Sequence, residues 1–413
     1  MSMPQSNFGF LSRSPGDPLP PVGPDSVGIS SERLARIRDV LEADIAAGQM
    51  PGAVLAIARR GKLACLETYG MRDKAAGVAM TADTLFNIAS MTKPVTAAAA
   101  LHLHEGGKLL VDDPVSKYFP KFADMKVAVL DETKQKIVRT EPAERQITLL
   151  DLMRHTSGLV YGGRGATAVH KLLPEGSGVA GAKMTGPEFL DKLAAAPLYH
   201  QPGKVWDYGF GLDVLGLVIE RGTGQKLGDY FRDNIFAPLG MDDIGYLVPP
   251  AKAARYAQAL PSSEGPYLHD PRQPLKFEPG GACLASTASD YLRFAVMLLN
   301  RGKLGDTRVL ARKSVEYMVS NHIDEDKVEN RIGNADPTRT DYGFGLGLAV
   351  RTTFGLVPMM GSPGEFNWPG AGGTNWWADP REDMAVVFMA VTPGPQRWHY
   401  RRLINSLVYQ ALD

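Results

Sequence analysis

The chain has 413 residues, with 45 Lys and Arg against 45 Asp and Glu and a formal net charge of zero. That balance excludes long-range attraction to nucleic acid or to an anionic membrane, and no run of like charge is long enough to make a local basic patch. With 44% hydrophobic and 22% charged residues, the composition is that of an ordinary soluble globular protein long enough for one large core or two.

Residues 1–27 are rich in Pro and Gly and read as an irregular leader on the surface. They lack the basic start and apolar run of a secretory signal. No segment has the ~18 unbroken apolar residues of a membrane span. A cytoplasmic location without a membrane partner is the expectation. A helix is predicted to begin at Ser30 or Ser31, either of which can cap it, with Leu34, Ile37, Val40, Leu41 and Ile45 on one face. Gly48 and Pro51-Gly52 end it. Ala53 to Ala58 and Leu63 to Thr68 read as strands around an Arg60-Gly61-Lys62 turn. Segments near 91–106, 147–155, 187–196, 209–222, 226–236 and 288–301 carry helical spacing between Gly- and Pro-rich loops. Tyr342 to Val350, Thr374 to Ala378 and Met384 to Val391 read as strands, and a helix near Gln396 to Leu412 closes the chain, with Leu403, Ile404, Leu407 and Val408 on one stripe. The expected fold is therefore α+β: an antiparallel sheet flanked by the N- and C-terminal helices, with a mainly helical region inserted. The expected division places a discontinuous α/β domain in 28–86 and 325–413, and the helical region in 87–324, with the active site at their junction.

The chemistry centres on Ser90-Met91-Thr92-Lys93. On a helix, three residues' separation puts Ser90 and Lys93 on one face. A serine hydroxyl needs a neighbour to take its proton, and a lysine can do so when its surroundings favour the neutral amine. Pro94 lacks a backbone donor and fits the first turn, which sets Ser90 at the helix start among free amides. The motif alone is weak, since roughly one Ser-x-x-Lys is expected by chance in a chain of this length. Its context is stronger: Leu85, Phe86, Ile88 and Ala89 precede it, and Val95 with an alanine-rich helix follows.

The stretches LFNIASMTKPVTAAAALHLHEGGKLLVDDPVSKYFP, ITLLDLMRHTSGL and QPGKVWDYGFGLDVLGLVIERGTGQ, in that order, resemble the serine β-lactamase-like superfamily. The resemblance is to class C β-lactamases, D-alanyl carboxypeptidases and, above all, family VIII carboxylesterases, and it runs from about residue 30 to the C-terminus. It implies that Tyr208 shares proton handling with Ser90 and Lys93. It also implies an oxyanion hole from the backbone N–H groups of Ser90 and Ala371. Trp368-Pro369-Gly370 falls where the family carries Lys-Thr-Gly, and Phe210 falls where β-lactamases carry an asparagine. Loss of that cation and that amide removes anchors for an anionic, peptide-like ligand, while an apolar wall suits an ester. Tyr161, Phe210, Trp368 and Gly370 are accordingly expected to contact substrate. The expected activity is hydrolysis of short-chain carboxylic esters through an acyl-enzyme. β-Lactam or D-amino-acid peptide hydrolysis and acyl transfer are the alternatives.

Other readings are weaker. His155 in His155-Thr156-Ser157-Gly158 invites a Ser–His pair, but the resemblance makes it part of a structural turn. His102 and His104 cannot share a helix face, and no HExxH occurs, so neither a metal nor a cofactor is expected. No Gly-x-Ser-x-Gly elbow is present. Cys65 and Cys283 sit in apolar stretches and read as buried free thiols, and Trp376 and Trp377 as packed strand residues.

Overall fold

Ser30 caps the first helix, α1 (Ser31–Ala46), by accepting the Arg33 N–H. Leu34, Ile37 and Leu41 are its buried stripe, as the spacing predicts. The computed structural model describes residues 17–260, 265 and 267–413. Most of the expected leader lies outside the described residues. From Asp17 onward the chain makes a bridge from Pro21 to Leu63 and a 3₁₀ turn over Pro24–Val27.

After α1 come β1 (Gly52–Arg59), β2 (Lys62–Asp73) and β3 (Val78–Ala79). The chain then returns at its other end with β4 (Tyr342–Phe344), β5 (Ala349–Arg351), β6 (Phe366–Asn367), β7 (Asn375–Asp379) and β8 (Met384–Ala390). Among the described residues these eight form one antiparallel sheet in the order β4-β5-β6-β7-β8-β1-β2-β3. Ala53 pairs with Ala390 on one side and Tyr69 on the other, so the two chain ends meet at β1–β8.

Every residue of β1 is buried, and its two faces serve different layers because side chains alternate along a strand. Ala53, Leu55 and Ile57 pack with Leu34, Ile37 and Leu41 and with Tyr400, Ile404 and Val408 of the closing helix α6 (Gln396–Tyr409). Val54, Ala56 and Ala58 face the inserted region. Truncating Leu41 or Ile404 to Ala would cost about 2–5 kcal/mol.

That region holds α2 (Thr92–Glu105), α3 (Leu149–Met153), α4 (Gly211–Thr223) and α5 (Ala288–Leu299). Helix α2 is buried almost all round, from Thr92 to Leu101, as an alanine-rich interior helix must be to let its neighbours approach. No helix among the described residues is long and apolar enough to cross a membrane.

Two features differ from the sequence expectation. The strand expected over Tyr342 to Val350 is two strands, split where Gly347 takes φ 74°. A Cβ on Gly347 would lie 2.9 Å from both Lys93 O and Ala97 Cβ, so this turn exists to seat against the start of α2. The helical region also contains an antiparallel hairpin, Lys126–Leu130 with Ile137–Pro142. Its second strand is largely exposed, which leaves little apolar alternation to read.

Candidate active site

Ser90 sits in a 3₁₀ turn, Ala89–Met91, that runs directly into α2. Three buried non-glycine residues are left-handed: Ala89 (φ 44°), directly before Ser90, His155 (φ 57°) and Cys283 (φ 81°). The other described residues of this kind, Arg60, Lys134, Arg301 and Asp383, lie in exposed turns. Each such backbone costs on the order of 1–2 kcal/mol for an L-residue, and strain of this sort gathers where geometry matters most. At Ala89 it is locked by two hydrogen bonds. Asn87 Oδ1 accepts the Ala89 N–H at 2.8 Å, and Thr92 Oγ1 donates to the Ala89 carbonyl at 2.7 Å.

Two groups converge on the half-buried Ser90. Tyr208 donates its hydroxyl to Ser90 Oγ at 2.8 Å, and Lys93 Nζ lies 3.3 Å from the same oxygen. Lys93 is 1% exposed; its Nζ also donates to the Gly281 carbonyl at 2.6 Å and stands 4.6 Å from the Tyr208 ring centroid. Trp368 donates its indole N–H to the Tyr208 hydroxyl at 3.0 Å, and Trp376 in turn donates to the Trp368 carbonyl at 3.0 Å. Such a set can take a proton from a serine and return it to a leaving group.

The amides of Ser90 and Ala371 donate to no protein acceptor among the described residues. Gly370 brings the two segments together: a Cβ there would overlap Thr374 Oγ1 and lie 2.6 Å from the Ile88 carbonyl. The Gly370 carbonyl is held from behind by Arg401 Nη2 at 2.7 Å. Arg401 is itself paired with Asp336 at 2.8 Å, and Arg339 pairs with the same carboxylate at 2.5 Å. Burial alone would raise Asp336, but the two guanidiniums hold it well below the usual carboxylate range.

Beneath Lys93 lies Asp213, which sequence reasoning missed. Asp213 Oδ1 accepts the Gly281 N–H at 3.0 Å, and Oδ2 accepts the Ser177 hydroxyl at 2.9 Å. Burial pushes its carboxyl up to about 6, against the opposing pull of Lys93. The signal was available: one acid within the otherwise apolar run Gly211 to Ile219, beside Leu212, Val214 and Leu215.

Of the expected substrate contacts, Tyr161 is buried with its hydroxyl 2.8 Å from Ser177 Oγ, and Trp368 forms the wall beside Tyr208. Phe210 requires a correction. It is wholly buried, edge-on to Tyr161 at 4.5 Å and to Phe189 at 5.2 Å, and so backs the wall instead of facing substrate. His155 packs against the Tyr208 ring at 4.7 Å, with Nδ1 3.4 Å from the Gly209 N–H. Burial, aided by Lys93 and Arg164, drives its basicity well below the ordinary histidine range, so the neutral imidazole supports the tyrosine and makes no contact with Ser90 Oγ. Cys65 and Cys283 are buried free thiols. Among the described residues no group of three or more His, Cys, Asp or Glu is placed to hold a metal ion.

Comparison with known proteins identifies the family. Over 369 residues the chain is 39% identical to Protein Rv1367c of Mycobacterium tuberculosis, covering 86% of this chain and 88% of that one. It is 30% identical to Esterase EstB of Burkholderia gladioli, covering 90% and 94%, and 29% identical to Acyltransferase mokF of Monascus pilosus, covering 82% and 83%. Among solved structures, EstCE1, described as a hydrolase with promiscuous acyltransferase activity, superposes with a TM-score of 0.74 at 25% identity over 92% of this chain and 99% of that one. The Beta-lactamase family model matches residues 37–409. The chain therefore belongs to the beta-lactamase family, with its α+β fold.

Proposed function

We propose that this protein is a serine carboxylesterase acting on short-chain esters through an acyl-enzyme on Ser90. The observation that carries the reading is the convergence of Lys93 Nζ and Tyr208 OH on Ser90 Oγ. Ser90 Oγ attacks the ester carbonyl carbon while its proton passes to the Lys93–Tyr208 pair. The negative oxygen that forms is received by the free N–H groups of Ser90 and Ala371, a contribution that elsewhere is worth ~3 kcal/mol per donor. The carbon–oxygen bond to the alcohol then breaks, and the alcohol leaves with the proton returned by Tyr208. Water repeats the sequence to release the acid and restore the serine. The Trp368 indole, spent on Tyr208, offers no cation for a β-lactam carboxylate at that wall, which favours an ester.

Acyl transfer is a second reading, supported by the acyltransferase named among the relatives and by the promiscuous transferase activity ascribed to EstCE1. An alcohol or amine acceptor would replace water in the second half.

The test is fluorophosphonate labelling followed by mass spectrometry, with p-nitrophenyl butyrate kinetics on wild type and Ser90→Ala. An adduct on Ser90 and a loss of at least about 10³-fold in the variant are expected. Wild-type turnover by Ser90→Ala, or no adduct on Ser90, would overturn the reading.

A further inference from the structure

The carbonyl of Gly370 and the N–H of Ala371 belong to one peptide group, so the contact from Arg401 to that carbonyl acts on the N–H as well. In a trans peptide the C=O and N–H bonds point in opposite directions, and no cis peptide occurs among the described residues. A guanidinium that holds the carbonyl toward α6 therefore turns the N–H away from α6. That N–H meets no protein acceptor among the described residues. The same contact polarises the amide, because a donor on the carbonyl oxygen makes the N–H a stronger donor in turn.

The grip extends along the whole segment between β6 and β7. Asp336 Oδ2 pairs with Arg401 at 2.8 Å and with Arg339 at 2.5 Å. Its Oδ1 accepts the Thr338 N–H at 3.0 Å and the Thr338 hydroxyl at 2.8 Å. Arg339 donates from Nε to Asn367 Oδ1 and from Nη2 to Asn375 Oδ1 at 3.4 Å. Asn367 closes β6, Asn375 opens β7 and Gly370 lies between them, so one carboxylate fixes both ends of the segment and its middle. Asp336, Arg339 and Arg401 are all buried. Buried ion pairs return little net stability once desolvation is counted, so anchoring the last helix does not by itself account for them. Two guanidiniums on a single carboxylate leave positive charge in excess behind the peptide, which favours a negative oxygen forming at its N–H. Arg164, the guanidinium 5.3 Å from the Tyr208 ring centroid, donates instead to the Asn334 carbonyl at 2.8 Å.

We propose that Arg401, held by Asp336, is a positioning residue for the oxyanion hole, aiming and polarising the Ala371 N–H that receives the negative oxygen. This rests on the acyl-enzyme reading above and adds to it a residue of the loop before β4 and one of the last helix.

The test uses p-nitrophenyl butyrate and its thiono analogue, in which C=S replaces C=O and the sulfur accepts hydrogen bonds poorly. Active sites are counted by fluorophosphonate labelling of Ser90 carried to completion, so misfolded protein does not lower the rate per site. Arg401→Met should lower kcat per site for the oxygen ester by ~10–100-fold, part of what a lost oxyanion donor costs, with KM within about threefold. The oxygen-to-thiono rate ratio should fall about tenfold, because the sulfur substrate draws little on the hole. A role confined to folding would leave that ratio unchanged. Arg401→Lys, whose single ammonium cannot hold Gly370 and Asp336 with a planar fork, should fall between. Asp336→Asn should shift the ratio in the same direction. Wild-type kcat per site together with a wild-type ratio, in whichever of these variants fold, would overturn the role. Labelled Ser90 with an unchanged ratio sinks only the role of Arg401, whereas wild-type Ser90 that takes no label sinks the acyl-enzyme reading itself.

Discussion

Trp368 donates its indole N–H to the hydroxyl of Tyr208 across 3.0 Å. An indole N–H can only donate, so it occupies one lone pair of the phenol oxygen and leaves the hydroxyl proton directed at Ser90 Oγ. The residue that stands where the family carries a cation thus spends its one donor on Tyr208 and has none left for a substrate anion.

Trp368→Phe keeps an aromatic wall and deletes only that donor. Its backbone stays anchored through the bond from Trp376 to the Trp368 carbonyl. With the Tyr208 oxygen free to rotate, kcat for p-nitrophenyl butyrate should fall on the order of tenfold while KM stays within about twofold, the pattern of a contact used mainly in the transition state. A rise in KM alone would assign Trp368 to substrate binding instead.

Much of this was legible beforehand because it rests on local rules. Ser30 announces α1, the unbroken apolar run of β1 marks a strand buried on both faces, and Pro94 after Ser90-x-x-Lys93 places a serine at a helix entrance. Phe210 was misplaced because a sequence position beside Tyr208 does not say which way the ring turns, and here it turns inward onto Tyr161 and Phe189. Arg164 and Arg401 were invisible for another reason. Each reaches the site through tertiary contacts from a separate segment, and an isolated Arg has no periodicity to betray it. Asp336 with Arg339 and Arg401 is the same case: a buried ion cluster assembled from a loop and the last helix.

Asp213 gives the site a pH dependence. Ionised, it accepts the Gly281 N–H and the Ser177 hydroxyl, and Gly281 presents its carbonyl to Lys93 Nζ. Protonated, one of its oxygens becomes a donor, and one of those accepted bonds is lost. Because burial holds the carboxyl at about 6, kcat/KM should decline as pH falls through that value. Asp213→Asn should remove this acid limb and lower the plateau, because its amide must aim two N–H groups at one of the two donors. Profiles with the same acid limb in both proteins would show that Asp213 does not govern it.

Glu365 makes a stability prediction of definite sign. It is buried beneath the β5–β6 turn, accepting from Tyr342 OH at 2.9 Å and Asn367 Nδ2 at 3.1 Å. Arg351 stands 3.9 Å away but spends its donors on the carbonyls of Thr353, Phe354, Met359 and Met360. The Tyr409 hydroxyl lies 3.2 Å from Glu365 Oε2 and 2.8 Å from Asp379 Oδ2, and its single proton can serve only one. Burial accordingly pushes Glu365 from 4.5 up to about 7. Between these values the folded protein holds a proton that the unfolded chain has released. The stability this contributes is full below the unfolded pKa and is lost as pH rises through the folded one. Glu365→Gln has nothing to titrate. Relative to that variant, wild type should lose on the order of 2–3 kcal/mol of unfolding free energy across the window, read from urea unfolding on either side of it. Parallel pH dependences in the two proteins would mean that Glu365 ionises in the fold without penalty, through a rearrangement that hands it the Tyr409 proton or a donor of Arg351.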